Sequence, residues 1–381
     1  MTRPSNSDGA EVVFLFIGGA HQVFHLAPVA AELVRLLPNR PVVCLSGDPA
    51  TTAALHLVRS KLDTPDLRIE TVRVPLWGRL LSAATGRKSS TKRPLLLSIR
   101  RRLSRAAAVV TPERTSARLR QMGLRRTLMI HFRHGAGDRA PESESRLAAF
   151  DLVAVPGQKD VLRATALVPK ERLRVCGYVK LDFCRGLVRE RLSIFDNDRP
   201  TVFYNPHFDA KASSLGVARD VVARFADQAK YNLIFCPHVR ATENLDPASL
   251  AQWRELAVPG RIFVDLDSPR LFDMTYIFGA DIYLGDMSSQ LYEFLTVPRP
   301  VAFVNAHGVA WRDDLRYAGW HLGEVADDLD DVIGAVDRAV AGQPAKLDRQ
   351  KAAVATALGE TEGAAVRGAR IIAEALTARQ R

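Results

Sequence analysis

The chain has 381 residues, 47% of them apolar and 25% charged, with a formal net charge of +11. That length suits two domains, and the balance is that of a folded globular protein and not of a disordered one. No run reaches the roughly 18 apolar residues of a membrane span, and the opening MTRPSNSDGAE lacks the apolar stretch of a signal peptide, so a cytoplasmic protein is expected. Cys44, Cys176, Cys184 and Cys236 have neither zinc-like nor redox-like spacing and are read as buried free thiols.

Residues 1–10 are read as disordered. Residues 12–17 form a continuous apolar run, the mark of a central parallel strand buried on both faces. Gly18-Gly19-Ala20-His21 is the turn after it, which makes His21 a candidate cleft residue, and 24–37 is an amphipathic helix. A strand at 42–45, a helix at 53–62 and a strand at 67–74 follow. The alternation then breaks. Leu76-Trp77-Gly78-Arg79-Leu80-Leu81 is apolar with basic flanks, either an interfacial membrane contact or a segment packed on the domain, and 86–92 is loop-like. Helices are expected at 95–108, 112–122 and 161–167, and strands at 127–131, 152–155 and 173–177. After a turn at 196–200, strands are expected at 201–204, 232–236, 262–264, 280–286 and 301–304. Helices are expected at 217–230, 290–295, 329–340 and 351–376. Strands alternating with helices predict parallel, doubly wound sheets.

The charge is concentrated. Residues 79–126 hold Arg87, Lys88, Lys92, Arg93, Arg100, Arg101, Arg102, Arg105, Arg114, Arg118, Arg120 and Arg125 against the single acid Glu113. Such a block suits an anionic membrane surface or a polyanionic acceptor; a solvated basic face would carry the same residues. Nucleic acid is not expected, because aromatic residues are nearly absent from the block and no nucleic-acid module appears.

Candidate chemistry sits in loops after strands, where ligands gather in open α/β sheets. Asp286-Met287-Ser288-Ser289 ends a strand and opens a helix. A helix N-terminus offers free N–H groups to a phosphate, and Glu293, one turn on, is placed to meet a ribose hydroxyl. An ordinary helix cap would look the same. His134-Gly135-Ala136-Gly137-Asp138, Tyr204-Asn205-Pro206-His207-Phe208 and Phe235-Cys236-Pro237-His238-Val239-Arg240 are the other loops, with Gly177-Tyr178-Val179-Lys180-Leu181-Asp182. An imidazole near neutrality can deprotonate a hydroxyl, and Arg240 can clamp a phosphate. No His/Asp/Glu spacing suits a metal, and neither a Gly-x-Ser-x-Gly elbow nor a Walker loop is present.

Asp286-x-Ser288-Ser289-x-x-x-Glu293-Phe294-Leu295, followed by Arg299-Pro300-Val301-Ala302-Phe303, resembles the nucleotide-diphosphate segment of the CDP-glycerol glycerophosphotransferase family of teichoic-acid polymerase type. Met287 stands where that family has Tyr, and Glu293 where it has Asp. His134-Gly135 is similar to its Trp-His-Gly-Thr-Pro-Leu-Lys segment, sharing only His-Gly. Pro237-His238 is similar to its Lys-Pro-His-Pro, residues 204–208 to Tyr-Ala-Pro-Thr-Trp, and residues 177–182 to Gly-Tyr-Pro-Arg-Asn-Asp, a hinge. The resemblance covers residues 127–340.

It implies a GT-B fold: two Rossmann-like doubly wound domains with a cleft between them. Residues 1–185 would be the acceptor-side domain, with a basic insertion at 76–126. Residues 186–381 would be the nucleotide-donor domain, its last helix crossing back. The implied activity is transfer of glycerol phosphate, or a related polyol phosphate, from a CDP-linked donor to a hydroxyl acceptor in cell-envelope polymer synthesis. His134 would be the base, and His238 with Arg240 would stabilise phosphate charge. Ser288 and Ser289 would hold the pyrophosphate and Glu293 the ribose, with His21, His207 and Asp286 as further cleft candidates. The donor is a substrate, and no cofactor or metal is implied. Implied partners are CDP-glycerol or a similar donor and a lipid-linked or polyanionic acceptor; the anionic inner face of the cytoplasmic membrane is expected from the basic block, which the resemblance explains least. Glu293 also resembles the ribose-binding Glu of UDP-sugar 2-epimerases. Another GT-B enzyme, glycosyltransferase or epimerase, is therefore the second reading, and a non-catalytic GT-B-like binding protein the third.

Overall fold

The computed structural model describes residues 9–85, 91–138, 142–187, 192–242 and 245–380. The chain divides into two compact units. The first is Met1–His134, Pro141–Phe183 and Ala357–Arg381, and the second is Gly135–Ala140 and Cys184–Thr356. Arg87 and Lys88 of the basic block, and residues 1–8 of the expected disordered start, lie outside the described residues.

The first unit holds a seven-stranded parallel sheet of order β3-β2-β1-β4-β5-β6-β7. Its strands are β1 (Val12–Phe16), β2 (Val42–Ser46), β3 (Arg68–Thr71), β4 (Ala108–Thr111), β5 (Leu128–Phe132), β6 (Leu152–Val155) and β7 (Leu173–Val175). β1 is buried along its length, as its unbroken apolar run requires. The helices that precede β4 are α1 (Ala27–Leu36), α2 (Pro49–Lys61), α3 (Leu76–Thr85) and α4 (Lys92–Leu103). α2 starts at Asp48, whose carboxylate accepts the Thr51 N–H at 2.8 Å, with Pro49 next in the chain.

β4 differs from expectation. No strand was expected there, and the basic helix was expected to run to Ala108, yet α4 stops at Leu103, and Ala108-Val109-Val110-Thr111 is a fully buried strand between β1 and β5. Four residues are too few to show periodicity. Their β-branching and central place in the sheet decide the conformation.

The second unit holds a six-stranded parallel sheet of order β10-β9-β8-β11-β12-β13. Its strands are β8 (Thr201–Asn205), β9 (Asn232–Phe235), β10 (Ile262–Val264), β11 (Ile282–Gly285), β12 (Val301–Val304) and β13 (Glu324–Ala326). Each unit has its own apolar core: Val13, Leu15, Val109, Met129 and Val153 in the first, and Val202, Leu233, Leu284, Ala302 and Val336 in the second.

Residues 332–358 form one 27-residue helix with Pro344 inside it, where two helices were expected with a break between. The Gln350 amide donates to the Leu322 carbonyl at 3.0 Å, and Lys346 pairs with Glu324 at 3.2 Å. These anchors hold the segment helical although the proline removes a backbone donor. All four cysteines are buried thiols, and no helix among the described residues is long and apolar enough to cross a membrane.

The parallel order fixes where chemistry can gather. In the first sheet, β1 has β2 on one side and β4 on the other. In the second, β8 has β9 on one side and β11 on the other. Connections leave these strand pairs in opposite directions and open a crevice at their carboxyl ends.

Candidate functional site

In the first unit, the loops after β1, β4 and β5 meet at His134. The ring Nδ1 of His134 lies 2.8 Å from the Pro112 carbonyl oxygen. A carbonyl only accepts, so Nδ1 carries the proton and Nε2 keeps the lone pair in the neutral ring. The Gln22 amide nitrogen stands 3.4 Å from that Nε2, in the geometry of a weak donor to it. Burial lowers the His134 pKa from 6.5 to about 4; Glu113 opposes the shift, and Arg114 adds to it. Glu113 is itself ionised. Burial pushes its carboxyl up, but Lys92, 2.7 Å away, and the Thr115 N–H bring it down to about 2.

His21 lies 6.3 Å from His134, ring to ring, and His25 lies 5.9 Å from it. Burial lowers the His25 pKa, and Lys180 lowers it further. The Tyr178 ring meets His25 edge-on at 5.4 Å. The segment expected to be a hinge thus delivers Tyr178 and Lys180 to the histidine cluster. Its Asp182 carboxylate accepts the Gly363 and Ala365 N–H groups and caps the last helix, Ala364–Gln380. Gln22 and His25 were missed by sequence reasoning, while Glu113 was noted only as the lone acid of the basic block and Lys180 only within a candidate loop. Of the two missed, only His25 left a signal, as a second histidine four residues after His21.

In the second unit, the ends of β8, β9, β11 and β12 converge. Asp286, after β11, accepts the His207 N–H at 3.0 Å, the Ser214 N–H at 2.7 Å and the Ser214 hydroxyl at 2.9 Å. Burial raises its pKa to about 6 against the pull of these donors. With its oxygens engaged and 2% of its surface exposed, Asp286 organises the loops and is not open to a ligand. His207 also accepts the Asp209 N–H on Nδ1 and the Ser213 hydroxyl on its carbonyl. His307 sits 3.0 Å from the Ser213 carbonyl through Nε2. Ser213, Ser214 and His307 carry no sequence signal, since long loops bring them in.

His207, Phe208 and His238 stack as a group: Phe208 lies 4.2 Å from His207 and 4.9 Å from His238, between ring centres. The Arg240 guanidinium rests 4.0 Å over the Phe208 ring. The His238 Nδ1 accepts the Arg240 N–H at 3.2 Å, so this neutral ring carries its proton on Nε2. Sequence order alone would not have placed Phe208 under Arg240.

Ser288 and Ser289 open the helix Gln290–Phe294. That helix has five residues, so few peptide dipoles add, and the expected help from a helix dipole is slight. The Ser288 hydroxyl accepts the Gln290 N–H at 3.3 Å. Gly135 and Gly137 lie against Ser289: a Cβ on Gly135 would stand 3.2 Å from its hydroxyl, and one on Gly137 3.4 Å from its nitrogen. Gly135 has φ +76°, which favours glycine. Beyond them, the Asp138 carboxylate accepts the Tyr292 hydroxyl at 2.8 Å and the Gly319 N–H at 3.0 Å. Glu293 is 2% exposed, beside the buried Tyr283 phenol. A cavity of about 760 Å³ opens at the opposite, amino ends of these strands, lined by Phe195, Arg199, Thr201 and Asp281, away from all of these groups.

No family model matches the chain, and no curated protein sequence matches it. Solved structures do. A putative UDP-N-acetylglucosamine 2-epimerase from Listeria monocytogenes superposes with a TM-score of 0.66 at 13% identity, over 98% of this chain and 97% of its own. The wall teichoic acid polymerase TagF gives 0.59 at 15% identity, over 100% of this chain and 92% of its own. The fold is GT-B. HepE of Anabaena, in complex with UDP-glucose, gives 0.55 at 13% identity, over 97% of this chain and 100% of its own. Identities this low show a shared GT-B fold and leave the substrate to chemical argument.

Proposed function

We propose that the protein is a GT-B transferase that moves glycerol phosphate, or a related polyol phosphate, from a CDP-linked donor to a hydroxyl acceptor. The observation that carries this reading is the tautomer of His134. Its Nδ1–H is held by the Pro112 carbonyl, and its pKa lies near 4, so at neutral pH the ring is an unprotonated acceptor with its lone pair on Nε2.

In this reading Nε2 takes the proton of the acceptor hydroxyl as that oxygen bonds to the phosphorus carrying the glycerol. The bond from that phosphorus to the bridging oxygen breaks, and CMP leaves with the electron pair. His238 donates its Nε2–H to the phosphates, Arg240 neutralises their charge, and the Ser289 hydroxyl and nearby N–H groups hold the pyrophosphate. Glu293 meets the ribose. No covalent nucleophile or resident cofactor is needed, since such transfers depend on positioning and charge neutralisation. The expected setting is cell-envelope polymer synthesis, as it is for TagF, whose structural likeness supports the reading.

A second reading, a UDP-sugar 2-epimerase or glycosyltransferase, draws on Glu293 and on the likeness to the Listeria epimerase and to HepE with its UDP-glucose. Calorimetric titration with CDP-glycerol, CMP and UDP-N-acetylglucosamine separates them. Tighter binding of the cytidine ligands supports the first, and binding of the uridine ligand alone supports the second. Binding of none supports a non-catalytic GT-B-like protein.

A further inference from the structure

α3 points its apolar side chains outward. Leu76 is 74% exposed, Trp77 52% and Leu80 71%, and Ala83 and Ala84 are exposed with them. At about 100° per residue these five positions share one face of the helix. The opposite face is fixed inward: Gly78 sits so close to Pro94 at the start of α4 that a Cβ would stand 2.4 Å from the proline Cβ. The outward face is therefore set by packing on α4, and no other element among the described residues covers Leu76 or Leu80.

α4 completes the surface. It buries Leu95, Leu96, Ile99 and Leu103 and turns Arg93, Leu97, Arg100 and Arg101 outward, with Arg105 just beyond its end. Much of the remaining basic block is engaged elsewhere: Arg102 holds Glu11 at 2.8 Å and Glu70 at 2.5 Å, Arg114 holds Glu144 at 2.9 Å, and Arg120 pairs with Asp151. Arg100 donates to the Met122 carbonyl at 2.9 Å, Arg93, Arg101 and Arg105 are left on the surface, and no Asp or Glu occurs between Arg73 and Pro112. A second copy docking by the same face would meet like charge, which argues against self-association there. An apolar strip of leucine and tryptophan beside a face of arginines instead matches the two layers of a bilayer surface, acyl chains and anionic headgroups.

We infer that α3 and α4 dock the protein on an anionic lipid bilayer, with Leu76, Trp77 and Leu80 entering the interface and Arg93, Arg101 and Arg105 meeting the headgroups. This docking does not depend on the chemistry proposed above.

The test is co-sedimentation of the full chain with vesicles of phosphatidylcholine alone and with added phosphatidylserine, together with the Trp77 emission. Binding is expected on the anionic vesicles only, with a blue shift of emission that Trp77→Phe removes, and a steep loss of binding as salt rises from about 0.1 M to about 1 M. Arg93→Gln, Arg101→Gln and Arg105→Gln together should lower partition about a hundredfold, at roughly one kcal/mol per charge. Trp77→Ser with Leu80→Ser should lower it without changing the melting temperature, because both side chains are exposed. Equal partition onto neutral vesicles, full binding by either variant, no binding by the wild type, or a dimer in solution that Trp77→Ser/Leu80→Ser dissociates would each overturn the inference.

Discussion

The Nδ1–H of His134 donates to the Pro112 carbonyl at 2.8 Å, and this one bond settles which nitrogen can accept a proton. With its pKa near 4, the ring is neutral above about pH 5. The free-enzyme rate, kcat/KM, should therefore be flat from pH 6 to 8 and fall on an acid limb well below the usual histidine value of about 6.5. His134→Gln should cost roughly 10²–10⁴-fold in kcat, with donor affinity nearly kept. An acid limb at 6.5, or an active His134→Gln enzyme, would move the base to another residue, with His21 and His25 the nearest imidazoles.

Stability should respond to pH through two groups of opposite sign. The folded pKa of His134 is depressed from 6.5 to about 4, so its contribution is present above pH 6.5 and is lost as pH falls toward 4. The shift is worth on the order of 3 kcal/mol. The folded pKa of Asp286 is raised from 3.8 to about 6, so its contribution is present below pH 4 and is lost as pH rises through 6. Urea unfolding of His134→Gln and Asp286→Asn at pH 4.5 and 7.5 reads the two signs separately. The His134 variant should lose less stability than the wild type on acidification, and the Asp286 variant should lose more.

Gly135→Ala should destabilise by about 1–2 kcal/mol, because a Cβ at φ +76° is strained and would press on the Ser289 hydroxyl. Gly137→Ala, whose Cβ would stand at ordinary contact distance, should cost clearly less. Thermal melts compare the two, and equal losses would contradict the packing of this loop on Ser289.

Ser289→Ala should weaken donor binding by the worth of a hydrogen bond to a charged group, about 1.5–3 kcal/mol, with little change in melting temperature, because its side chain makes no capping bond. Ser288→Ala should also lower stability by about 0.5–1 kcal/mol, since its hydroxyl accepts the Gln290 N–H. Titration of CDP-glycerol into both variants checks this, and unchanged affinity in both would remove the pyrophosphate assignment.

Much of this arrangement was legible because chemistry in open α/β sheets sits where strands end. His134, His238 and Ser288 each follow a recognisable apolar run, and β1 and β11 announce themselves by continuous burial. β4 did not, since four residues between basic helices show no period. The 27-residue helix did not, since the separate helices expected at 329–340 and 351–376 are joined through Pro344 by a segment that Gln350 and Lys346 anchor. The partners of the site residues were the least legible part. Gln22 reaches His134 across 112 residues and Ser214 reaches Asp286 across 72, and no local pattern encodes such separations. The basic block misled in the other direction, because Glu11, Glu70, Glu144 and Asp151, all outside it, neutralise part of its charge.

The most direct measurement is product formation from CDP-glycerol, followed by phosphorus NMR with a hydroxyl-terminated lipid-linked acceptor and with UDP-N-acetylglucosamine as the competing substrate. The account predicts CMP and a new phosphodiester from CDP-glycerol, formed roughly 10²–10⁴-fold more slowly by His134→Gln, and no change in the UDP-sugar. Epimerised or hydrolysed UDP-sugar with CDP-glycerol left intact would contradict it.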